Sequence, residues 1–214
     1  MGKILVFLFS LLLVGCTQEI ESTEVEMITD NNTFSEVELV TPKDHHLLVE
    51  WDSDAMERGN HDYEAYAHGE LVIEPNYDLL ERGDVIYYKM VELEIKKNPN
   101  ILENYLGRVV GLPGETVEIK DGQVYIDEQV LNTFYGRAVM HGMDEETYFE
   151  KMNPSNIVDK QSSRDYFNMN MEPIIVEEGT VFVLLDQWWR GTDSKNFGLL
   201  PVERVQGKVL GYSK

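Results

Sequence analysis

The chain has one cysteine, Cys16. No disulfide can therefore staple it internally, and no cysteine cluster can hold a metal. Basic residues are also scarce: 18 Lys and Arg face 39 Asp and Glu, a formal charge of −21. Such a surface repels phosphate backbones and anionic lipid, which excludes nucleic acid as a partner. Nor is there an apolar run of the about 20 residues that a spanning helix requires. The longest, Ile4 to Val14, is broken only by Ser10 and is too short to cross a bilayer. His45, His46, His61 and His68, with Asp52, Asp54 and Asp62, follow no metal-ligand spacing. They are expected as solvated loop residues, and no metal or cofactor is expected.

What is present begins at the N-terminus. Lys3 and the apolar run form the n- and h-regions of an export signal. The run closes on Leu13-Val14-Gly15-Cys16, which resembles a bacterial lipobox. That resemblance implies removal of residues 1–15, diacylglycerol on Cys16, and a lipid anchor on the extracytoplasmic face of the cell membrane. An ordinary export signal with an incidental cysteine is the alternative. From Thr17 to Asp44 there are eight carboxylates and one base, Lys43. Such a stretch buries little apolar surface, so residues 16–44 are expected as an acidic, flexible tether. Asp30-Asn31-Asn32 lacks the further oxygens of a calcium loop and reads as a turn.

With 214 residues, 43% of them hydrophobic, the remainder can fill one sizeable core. Its patterning is that of strands. Val117, Ile119, Val124 and Ile126 alternate around an Asp121-Gly122 hairpin turn. Val109 and Val110 run into Leu112-Pro113-Gly114, where Pro presets φ and Gly accepts φ > 0. Further strands are expected at Leu47 to Glu50, Leu71 to Ile73, Val85 to Tyr88 and Val181 to Leu185. Lys89 to Glu103 reads as a charged loop. Leu131 to Pro173, rich in Met, Asn and Tyr, interrupts the strand pattern; Asp144 to Met152 suits one short helix with an acidic start.

Four stretches resemble, in order, the boxes of the type I signal peptidase family, membrane-bound Ser-Lys endopeptidases. Around Trp51 to Met56 the family carries its nucleophile in a Val-x-Gly-x-Ser-Met-x-Pro-Thr pattern. Arg82-Gly83-Asp84-Val85-Ile86 is similar to its Arg-Gly-Asp-Ile-Val box. Arg108-Val109-Val110-Gly111-Leu112-Pro113-Gly114-Glu115 is similar to Lys-Arg-Val-Ile-Gly-Leu-Pro-Gly-Asp. Asp186, Asp193, Ser194, Phe197 and Gly198 match the last box, with Lys195 for its Arg and Gly191 for its first Ser. The resemblance implies a mainly β fold of coiled antiparallel sheets (45–131 and 174–214) with a small cap-like insertion at 132–173.

The same resemblance places Gly107 where the catalytic lysine stands. Two registers compete at the nucleophile: one puts Ser53 there, the other keeps Met56 in its box and puts Ala55 there. A serine needs a neighbouring neutral amine to take its proton, and Gly107 has no side chain. Lys195 replaces the forked Arg buttress with a point charge. Three readings follow. One is a non-catalytic signal-peptidase-like lipoprotein that binds an extended peptide or exported protein. Another is an active peptidase using Ser53 with a displaced base such as Lys89 or Lys97. The third is an acidic envelope module acting through its charge.

Overall fold

The computed structural model describes residues 26–30, 33, 36–58 and 63–214. In chain order it forms strands β1 (Met27–Ile28), β2 (Leu39–Val40) and β3 (Leu47–Val49), helix α1 (Ala65–His68), then β4 (Leu71–Glu74) and β5 (Val85–Lys89). Helix α2 (Glu92–Lys97) precedes β6 (Asn104–Gly111), β7 (Thr116–Lys120), β8 (Gln123–Ile126) and β9 (Gln129–Leu131). Helices α3 (Glu145–Lys151) and α4 (Lys160–Phe167) lead to β10 (Met171–Ile175) and β11 (Thr180–Leu184). Helix α5 (Ser194–Phe197), β12 (Leu200–Pro201) and β13 (Val205–Ser213) complete the chain.

The fold is mainly β and its long pairings are antiparallel. Among the described residues one sheet runs β12-β11-β6-β5-β13-β4-β3, and the other β1-β9-β8-β7-β10. The hinge between them is the Leu112 to Glu115 turn. Gly114 takes φ 90° there, the left-handed region that the Pro-Gly pair anticipates. At Gly111 a Cβ would stand 2.4 Å from Val117 Cγ2, so only glycine lets β6 and β7 cross this closely.

Strands β6 and β11 form a wall shared by two cores. Val109, Val181 and Val183 enter the cluster that holds Trp51, Met56, Ile86 and Tyr88. Val110, Phe182 and Leu184 face the cluster of Val117, Ile119, Val124 and Ile126. Burial on both faces explains why Val181 to Leu185 reads as an unbroken apolar run. The Asp121-Gly122 hairpin has φ 47° and 70°, as a two-residue turn between twisted strands requires. Asp144 caps α3 through Thr147 N–H at 2.9 Å, beginning the expected helix.

Two expectations fail. The stretch 89–103 is no simple loop, because α2 forms there with Glu92 and Glu94 in its first turn and Lys96 and Lys97 in its last. The flexible tether expected over 16–44 does not extend through the described part of that range. Strand β1 pairs in parallel with β9, and β2 in parallel with β13. Tyr212 N–H donates to Glu38 O at 2.7 Å, and Val130 N–H to Glu26 O at 2.9 Å. Backbone hydrogen bonds to open sheet edges order a segment whose side chains could not order it. Cys16 and the whole signal segment lie outside the described residues. Among those described, no helix is long and apolar enough to cross a membrane.

Candidate functional site

The most heavily buried charges gather around β6. Arg108 projects from it and is 2% exposed. Its Nε and Nη2 donate to the two carboxylate oxygens of Asp186 at 2.7 and 2.6 Å, and Nη1 donates to Gly83 O at 2.8 Å. A planar fork is needed for this bidentate arrangement. Burial alone would lower the Arg108 pKa, but the facing Asp186 carboxylate raises it further above its already high range. Arg58 Nε lies 3.8 Å from Asp186 and its guanidinium stacks over Phe134. Arg82 donates to Val110 O and to Glu115, tying the entry turn of β5 to the Pro113-Gly114 turn. Asp84 accepts from Glu81 N–H and Lys208 Nζ, each at 2.7 Å. A Cβ at Gly83 would meet Thr33 Oγ1 at 2.2 Å, so the N-terminal segment seats directly on that turn.

The last box is also a positioning device. Asp193 caps α5 in a reciprocal capping box with Asn196 and accepts from Leu185 N–H at 3.2 Å. Ser194 Oγ accepts from Val183 N–H at 2.9 Å. Lys195 Nζ is buried against the Asp193 carboxylate and over the Trp188 ring. Burial pulls its pKa below the usual lysine range, and Asp193 opposes that shift.

Gly107 lies in the middle of β6, opposite Ile86. Tyr88, its diagonal neighbour on β5, covers the glycine: a Cβ at Gly107 would stand 3.1 Å from Tyr88 Cε1 and 3.6 Å from Val183 Cβ. Tyr88 is fully buried and its hydroxyl has no hydrogen-bond partner among the described residues. Burial, with Asp193 adding, holds the Tyr88 pKa well above the usual phenol value. The Tyr105 ring lies 6.3 Å from that of Tyr88 and 5.9 Å from that of Trp51. A Cβ at Gly191 would touch Tyr105 Cε1 at 3.6 Å and Ala55 Cβ at 3.8 Å. Ala55, Gly191 and Gly107 thus lie along one buried aromatic wall. Ala55 and Met56 are fully buried, and Gln187 N–H holds Ala55 O at 2.9 Å.

Ser53 sits apart from that wall, two residues before Ala55. Its Oγ accepts from Ala55 N–H at 3.3 Å and caps the short 3₁₀ turn Asp54–Met56. It opens on a cleft of about 380 Å³ whose walls include Glu50, Asp52, Tyr87, Glu103 and Asn104 and, among the described residues, no lysine. Lys89 and Lys96 are exposed, and Lys97 pairs with Glu94 at 2.6 Å.

His45 and His68 are exposed, as expected, but His46 is not. His46 is a solvated residue only in part, since its side chain is 1% exposed. Its Nε2 lies 3.3 Å, and His45 Nε2 3.0 Å, from Glu74 Oε2. These three residues bring ligand-type atoms within 4.8 Å of one another. His46 Nδ1, however, accepts Lys43 N–H at 3.1 Å, which leaves the proton on Nε2 and that nitrogen without a lone pair for a metal. His68 stacks on Tyr212 with ring centroids 4.6 Å apart, and His61 lies outside the described residues. Sequence reasoning missed Tyr88, Tyr105 and Arg58. Tyr88 was findable from the β5–β6 pairing, which sets it diagonally across from Gly107.

The geometry defines a β-sheet protein whose four sequence boxes meet around one strand, β6. Residues 42–212 match the family described as signal peptidase, peptidase S26, and the chain belongs to that family. It is similar to signal peptidase I of Leptolyngbya laminosa, with 30% identity over 129 residues, covering 60% of this chain and 50% of the relative. Similarity to thylakoidal processing peptidase 1, chloroplastic, of Arabidopsis thaliana is 26% over 155 residues, covering 63% of this chain and 38% of that protein. The chain spans about half the length of the first of these relatives. A crystal structure of a signal peptidase I from Enterococcus faecalis V583 superposes with a TM-score of 0.41 at 22% identity, over 62% of this chain and 98% of that one.

Proposed function

We propose that this chain is a signal-peptidase-family lipoprotein without peptidase activity, which uses its cleft to bind an extended peptide or exported protein segment. The observation that carries the reading is the Gly107 position. No side chain issues from it, and the Tyr88 ring lies over the space a lysine would need. In the register that keeps Met56 in its box, Ala55 takes the nucleophile position, and neither it nor Gly191 at the last box's first serine offers a hydroxyl. The Ser53 hydroxyl is engaged as a cap, and among the described residues the cleft it faces holds carboxylates and no amine to take its proton.

Strand addition is the matching binding mode. Strand β3 pairs only with β4 and is a sheet edge among the described residues. The first half of β6 pairs with β5, while its β11 partner begins at Arg108. The cleft lies between these two stretches, so an extended peptide finds open backbone groups on its walls. Lipid on Cys16 would hold the domain at the membrane face.

The test is incubation of the purified mature chain with a signal-peptide substrate and, separately, with a serine-directed acylating inhibitor. Neither cleavage nor a covalent adduct is expected. Turnover that disappears in Ser53→Ala would overturn the reading in favour of a rearranged dyad.

A further inference from the structure

The cleft between β3 and β6 has a chemical bias of its own. Glu50, Asp52 and Glu103 all line it and are exposed. None of the three is paired with a cation among the described residues, whereas neighbouring Asp54 is engaged by Arg190. Glu103 acts on Tyr87, another wall residue: after burial, its charge is the second cause of the raised Tyr87 pKa. Two polar groups of the same wall also lack partners. Trp51 is 4% exposed and its indole N–H has no acceptor among the described residues; Asn104 Oδ1 is buried with no donor among them. A buried donor and a buried acceptor without partners are costly to leave unmet, and both belong to residues lining the cleft beside its carboxylates.

From this we infer that the occupant of the cleft is an extended peptide carrying lysine or arginine side chains. The inference rests on the peptide-binding reading above and specifies its ligand. A strand placed along β3 or β6 points alternate side chains to the same side, so cations two residues apart reach carboxylates along one wall. A second copy of the chain is disfavoured as occupant, because each copy carries a formal charge of −21.

The experiment uses the mature chain and two acetylated, amidated seven-residue peptides by calorimetry. One has lysine at two alternate positions, the other glutamine. The lysine peptide is expected to bind about tenfold more tightly at low salt, as two exposed charge contacts of modest strength allow. The triple variant Glu50→Gln, Asp52→Asn, Glu103→Gln should abolish that preference while still binding the glutamine peptide. A control triple variant, Glu172→Gln, Glu177→Gln, Glu178→Gln, should keep it. Equal binding of both peptides would overturn the basic-ligand inference and leave peptide binding standing. Preference surviving in the cleft variant would overturn it too, assigning the effect to overall charge. No binding of either peptide would remove the peptide-binding reading itself.

Discussion

Introducing a lysine at position 107 is the most direct probe of the aromatic wall. The substitution Gly107→Lys adds a Cβ that starts 3.1 Å from Tyr88 Cε1, tighter than ordinary contact, and 3.6 Å from Val183 Cβ. The remainder of the side chain must then displace a ring that is fully buried. Overpacking of this kind costs about 1–3 kcal/mol, before any burial of the ammonium. Tyr88→Ala alone should cost about 3–5 kcal/mol through lost contacts and the cavity left behind. If the two side chains compete for one space, the double variant is less destabilised than the sum, with a coupling of about 1–3 kcal/mol. Urea midpoints of the four proteins, with m-values checked for constancy, measure that coupling. Additivity within about 0.5 kcal/mol would refute the reasoning, because a lysine at 107 would then be finding room elsewhere.

Other outcomes follow from the charged groups. Asp186→Asn removes one half of the fully buried pair with Arg108 and should destabilise by about 3–5 kcal/mol; a midpoint change equivalent to under 1 kcal/mol would show the pair to be solvated. Because burial lowers the Lys195 pKa below its usual 10.5, the unfolded chain holds the proton over the window between the two values. Stability contributed by this site therefore rises with pH through that window and is lost as pH falls through the folded-state pKa. Urea midpoints at about pH 8 and 10 should rise less in Lys195→Met than in the parent, and equal slopes would contradict the shift. Cys16→Ala should abolish partitioning into a detergent phase, and unchanged retention would count against the lipobox reading.

Much of the fold was legible because strand periodicity and turn chemistry are local. The Thr116 to Ile126 hairpin, the Pro113-Gly114 turn and the buried Val181 run each follow from a few neighbouring residues. Arg108 and Gly107 could be placed by their box. The partner of Arg108, Asp186, lies 78 residues away and came only from the last box; Arg58 stood only where the first box's pattern has Pro, and Tyr88 had no box at all. The N-terminal strands were illegible for a different reason. Met27–Ile28 and Leu39–Val40 are held by backbone groups against distant edges, and backbone hydrogen bonding leaves no periodicity in a two-residue strand. The sequence leaves Ser53 and Ala55 both open at the nucleophile position, and their tertiary settings differ: one caps a turn at a cleft, the other is buried beside Gly191.

The two N-terminal strands have a consequence for reach. If Cys16 carries the lipid, nine residues separate it from the first described backbone bond, at Glu26, rather than the twenty-eight from Thr17 to Asp44. At the about 3.3–3.6 Å per residue of a fully stretched chain, nine residues span roughly 30 Å and twenty-eight roughly 100 Å. Such a leash would keep strand β1, and the β9 edge it pairs with, within roughly 30 Å of the lipid surface.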